Sequence, residues 1–159
     1  GFQALIKLGL VPYGEIIDTD ETCPTLSYNV IGRHQSKIVR TRIASNNSPW
    51  LSKVSVGDIV NVPISHGEGR FLCDAELIKK LAANGQIATQ YVDLNGVPTM
   101  DVDFNPNGSV WAVEGITSPD GRVLGKMGHS ERIGEGLYRN VPGNYDLHLF
   151  EAAKDYYNL

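Results

Sequence analysis

The stretch from Asn105 to Arg132 constrains this chain most. Asn105-Pro106-Asn107-Gly108-Ser109 is a turn, Val110 to Thr117 an apolar run, Pro119-Asp120-Gly121 a second turn, and Val123 to Met127 a second apolar run. Turn residues that preset φ or tolerate positive φ, set between apolar and β-branched runs, predict a strand hairpin. His129 and Glu131 follow at the end of its second strand. A strand end is where an α/β sheet presents its chemistry. A histidine with a carboxylate two residues on can act as a general base held and polarised by its neighbour. Such a pair still needs a nucleophile.

The rest of the chain frames that hairpin. At 159 residues it is one domain long, enough to bury a core. Its net charge of −4 argues against a nucleic-acid or anionic-membrane partner. No apolar run approaches the ~18 residues a membrane helix needs. Two cysteines, Cys23 and Cys73, fall short of a disulfide framework and fit a reducing cytosol. Apolar spacing from Phe2 to Leu10 predicts a first helix, ended by Gly9 and Pro12. Strands are predicted over Leu26 to Ile31, Lys37 to Ile43, Asp58 to Ser65 and Gln86 to Val92. Helices are predicted over Phe71 to Ala83 and Leu147 to Tyr157, and His66-Gly67-Glu68-Gly69 is read as a loop. No repeat or linker divides residues 1–159.

Several segments together resemble the carboxyl-terminal, class I glutamine amidotransferase domain of the phosphoribosylformylglycinamidine synthases. They are Gln90-Tyr91-Val92-Asp93, Asn105 to Ser109, Gly115 to Gly125 and His129-Ser130-Glu131-Arg132, with Ile64 to Phe71 and Gly32 to Lys37 in support. The resemblance covers almost the whole chain. It implies an α/β, flavodoxin-like three-layer sandwich with helices flanking a mainly parallel sheet. This chain would hold the second half of that domain and its antiparallel additions, the earliest strands preceding Gly1.

The family carries its cysteine nucleophile on a strand-to-helix turn patterned Gly-x-Cys-x-Gly-x-Gln, and Gly1-Phe2-Gln3 matches the last three positions. The nucleophile is therefore expected two residues before Gly1, and the chain as it stands is expected to be inactive. Neither cysteine present replaces it by pattern: Cys23 follows the acidic stretch Asp18 to Thr22, and burial is the expected state of Cys73. By resemblance, His129 takes the thiol proton and returns it to the leaving ammonia, and Glu131 orients the ring. Gln3 is implied to contact the bound L-glutamine, and Gln35 and Ser36 its amino-acid end. No cofactor is implied in this chain; ATP and magnesium are expected in the synthetase domain of the parent, which is also the implied partner, in the cytoplasm.

Other residues have plainer readings. His66 is expected to support the site or to face the synthetase domain, His34 to be structural or substrate-adjacent, and His148 to lie at the surface. The histidines and cysteines lack zinc-ligand spacing, and no Gly-Lys-Ser/Thr follows Gly67 and Gly69 to make a phosphate loop. Two function classes stay open: the ammonia-supplying part of a purine-pathway ligase, and a non-catalytic α/β module for docking or regulation. The parent is either one long chain or a separate small subunit, and the tail from Arg132 to Leu159 looks more like the long-chain form.

Overall fold

The computed structural model describes residues 1–158. Seven strands form in chain order: β1 Thr25–Tyr28, β2 Gln35–Ile43, β3 Ile59–His66, β4 Glu68–Leu72, β5 Ile87–Tyr91, β6 Val113–Thr117 and β7 Leu124–Lys126. The helices are α1 Phe2–Lys7, the single turn α2 Leu10–Tyr13, α3 Ala75–Ala83 and α4 Leu149–Tyr157. Strands β3-β2-β5-β6-β7 make one sheet, and β1 and β4 make a second, two-stranded one.

The chain is α/β, as the resemblance implies, but the expectation of a mainly parallel sheet is corrected. Every strand pairing among the described residues is antiparallel. The connections give one reason: a parallel neighbour needs a crossover of about a dozen residues or more, and β6 reaches β7 through a short turn closed by Ser118 and Val123. Ser118 Oγ also accepts the Val123 N–H, at 3.0 Å, and donates to Asp120.

β3 and β4 are nearly one run, interrupted only at Gly67, which crosses from the large sheet into the small one. The expected loop at His66 to Gly69 is thus mostly strand, held by Asn29. Its side-chain amide donates to His66 O at 2.9 Å and Arg33 O at 3.1 Å, and its carbonyl accepts the Gly69 N–H at 3.1 Å. Phe71 and Leu72 also belong to β4, so the predicted helix starts later, behind Asp74, whose carboxylate accepts the Leu77 N–H at 2.6 Å. Val110–Ala112 is a 3-10 turn rather than the start of β6, with Trp111 and Ala112 at positive φ.

One apolar cluster joins Phe2 and Ile6 of α1, Leu26 of β1, Phe71 of β4, Ile78 and Leu81 of α3, and Ile87, Val113 and Ile116 of the large sheet. A second joins Ile43, Val60 and Ala88 to Leu147 and to Leu149 of α4. No helix among the described residues is long and apolar enough to cross a membrane.

Candidate active site

The hairpin delivers the pair the sequence singled out. His129 lies just past β7, its N–H donating to Pro63 O of β3 at 2.9 Å, so the turn is tied across the sheet. His129 Nδ1 and Glu131 Oε1 are 2.8 Å apart. The two side chains keep 33% and 56% of their surface exposed, so the pair is reachable from solvent. Partial burial pushes the Glu131 carboxyl up, but hydrogen bonds from its own backbone N–H and from His129, with the charges of His129 and Arg132, hold it below its ordinary value.

A cavity of about 400 Å³ opens beside this pair. Gly1, Phe2 and Gln3 line it together with His129 and Glu131, and so do His66, Glu68 and Lys126. Phe2 brings the first residues there, because its ring is buried in the first apolar cluster, against which Met127 packs. Gln3 Nε2 donates to Glu68 Oε2 at 2.8 Å, which fixes the amide at the cavity edge.

The structure thus unites Gln3 with His129 and Glu131 but sets Gln35 and Ser36 apart. Those two open β2, opposite His66 and Ser65 of β3, and neither lines the cavity. His34 Nε2 lies 3.1 Å from Ser65 Oγ, and His148 is a half-exposed partner of Asp146 and Glu151. Cys23 and Cys73 are also outside the cavity. Burial, reinforced by Asp74, pushes the Cys73 thiol up to about 11, so it is protonated at neutral pH.

His66, expected to support the site or to face the synthetase domain, lines the cavity; burial lowers it to about 4, opposed by the Glu114 carboxylate and reinforced by His129 and His34, and its ring is neutral at pH 7. Glu68 and Lys126, which sequence reasoning missed, line it as well. Behind the wall lies Glu114, fully buried in β6 beside Lys126. A carboxylate between Val113 and Gly115-Ile116 in an apolar run was the available signal, since buried glutamates are rare without partners. A larger cavity, about 680 Å³, lies elsewhere, between β2, β3 and the 141–144 segment, and is lined by none of these residues. No cluster of potential metal ligands occurs among the described residues.

Comparison with known proteins gives this arrangement a lineage. The family of CobB/CobQ-like glutamine amidotransferase domains matches residues 1–157. Phosphoribosylformylglycinamidine synthase subunit PurQ of Thermomicrobium roseum is 43% identical over 115 residues, which cover 72% of this chain and 47% of that protein. The chain therefore spans about half the length of this curated relative. A chain in the structure of PurLQS from Thermotoga maritima superposes with a TM-score of 0.69 at 24% identity, over 99% of this chain and 58% of that one, which establishes the shared fold. With its family match running from the first residue almost to the last, the chain belongs to the CobB/CobQ-like glutamine amidotransferase domain family.

Proposed function

We propose that this chain is the glutamine-hydrolysing, ammonia-supplying part of a phosphoribosylformylglycinamidine synthase, acting in the cytoplasm beside a synthetase component that holds ATP, magnesium and the formylglycinamide ribonucleotide. The observation that carries this reading is the single cavity shared by Gly1, Gln3, His129 and Glu131. A thiol two residues before Gly1 would lie close to the cavity that Gly1 shares with His129.

The chemistry follows from the groups present. A primary amide resists water, so its cleavage calls for a covalent thioester. Glu131 on Nδ1 leaves Nε2 of His129 free to take the thiol proton. The thiolate adds to the side-chain carbonyl carbon, and the C–N bond breaks as His129 returns that proton to the leaving nitrogen, releasing ammonia. Water, activated by the same ring, then splits the thioester to glutamate and regenerates the thiol. Backbone N–H groups around the residue preceding Gly1 would stabilise the oxyanion. Gln3, hydrogen-bonded to Glu68, would contact the bound amino acid, and Gln35 and Ser36 would offer groups to its α-amino and carboxylate end.

Without that thiol the chain lacks the covalent route, a loss worth on the order of a millionfold in a comparable triad. The test is ammonia release from glutamine by residues 1–159 and by the longer protein that includes the residues before Gly1. Activity of the longer protein that disappears in His129→Ala supports the reading. Activity of residues 1–159 that survives replacement of both Cys23 and Cys73 by Ala overturns the assignment of the nucleophile. An inactive longer protein that folds and carries the preceding cysteine favours the docking-module reading.

A further inference from the structure

Lys126 and Glu114 face one another across β6 and β7 with 9% and 0% of their side chains exposed. The Lys126 ammonium lies 3.3 Å from Glu114 Oε1 and donates to Gly128 O at 3.0 Å and to Ser130 Oγ at 3.3 Å. Glu114 Oε1 in turn accepts the Gly128 N–H, and Oε2 accepts the Thr89 hydroxyl. Its backbone carbonyl takes the Met127 N–H at 3.1 Å. One buried cation thus holds the residues on both sides of His129, and one buried anion holds the peptide entering it. Gly128 lets the two approach: a Cβ there would stand 2.5 Å from Val62 Cγ2 and 2.9 Å from Glu114 Oε1.

This is more than a turn of that length needs. Burying an ammonium and a carboxylate carries a large desolvation cost, and an apolar pair of similar volume would serve stability as well or better. What the ion pair supplies is direction, because three acceptors converge on one ammonium and leave the 128–130 backbone a single arrangement.

We infer that Lys126, seated on Glu114, is a positioning residue that sets the orientation of His129 toward the nucleophile and the bound glutamine. The inference rests on the amidotransferase reading above. Lys126 borders the cavity, but its ammonium is engaged by Glu114 Oε1, Gly128 O and Ser130 Oγ, so it acts through the turn it braces and its effect falls on turnover rather than on affinity.

The experiment uses the longer, thiol-bearing protein with Lys126→Met and with the double variant Glu114→Gln/Lys126→Met, which leaves no uncompensated buried charge. Glutamine turnover is measured together with the downfield proton resonance of the His129–Glu131 hydrogen bond, identified by its loss in Glu131→Gln. The double variant is expected to fold, to lose on the order of tenfold to a hundredfold in kcat with KM for glutamine within about threefold, and to show that resonance broadened or absent. Wild-type kcat with the resonance intact overturns the inference. So does a double variant that does not fold, since the pair would then be structural, and so does a loss confined to KM. If the wild-type protein itself releases no ammonia, the amidotransferase reading fails, while the proton resonance still decides whether Lys126 orders the His129 turn.

Discussion

The Phe2 ring lies directly over Gly125: a Cβ built on that glycine would stand 2.3 Å from the ring. This contact joins the first turn of α1 to the middle of β7, and so places Gln3 and the residues past β7 around one cavity. Gly125→Ala is expected to cost about 1–3 kcal/mol of stability through overpacking. In the longer protein it is expected to lower glutamine turnover as well. Urea denaturation followed by ammonia-release assays checks both, and a variant with unchanged denaturation midpoint contradicts the contact.

Glu131→Gln keeps the shape of the His129 partner and removes its charge. A charge-assisted hydrogen bond contributes about 1.5–3 kcal/mol, so kcat for glutamine hydrolysis in the longer protein is expected to fall at least tenfold. Restoration of full rate by Gln would show that orientation alone suffices.

His66 gives the fold a defined pH response. Folded His66 binds its proton only near pH 4, whereas the unfolded side chain does so near 6.5. Between those values the unfolded chain holds more protons, so stability is lost as pH falls from about 6.5 toward 4. The loss is about 2 kcal/mol, allowing for the part of the ring that water still screens. Denaturation midpoints at pH 7 and pH 5 should differ accordingly, and His66→Gln should remove this contribution to the slope.

Asn29 is the clasp of the β3–β4 junction. Asn29→Ala strands two carbonyls and one N–H that its buried amide satisfies, and is expected to cost about 2–4 kcal/mol in chemical denaturation. Asn29→Asp keeps the acceptor for Gly69 but loses both donors, and is expected to recover only part of that stability.

Much of this was legible in the chain. The hairpin of β6 and β7, the β-branched strand β2, the apolar strand β3, and helices α3 and α4 follow from periodicity and turn chemistry, and His129 and Glu131 fall together because they share one extended segment. β4 was not legible, because Gly67 and Gly69 weaken local strand preference and its pairing with β1 comes from a segment forty residues away, as Ser27 opposite Arg70 illustrates. The boundary between β4 and α3 was blurred because Phe71 and Leu72 continue the apolar pattern of the helix, although Asp74 marks the start. The parallel sheet was an inference from resemblance, and strand direction leaves no trace in a single strand's composition. The role of Gln35 and Ser36 rests on resemblance, and where the start of their strand lies in space is decided by its register with β3.

The cavity draws on the chain's first three residues, on Leu26, on His66 and Glu68 near the middle, and on Lys126 to His129 with Glu131. Nothing local can assemble it: the chain from Gln3 to His129 must close on itself before the two border one cavity, at the entropic cost of a long loop. The site is therefore a checkpoint on completed folding. A ligand bound there clasps the two distant segments together and stabilises the chain as a whole, in proportion to the logarithm of its concentration over its Kd.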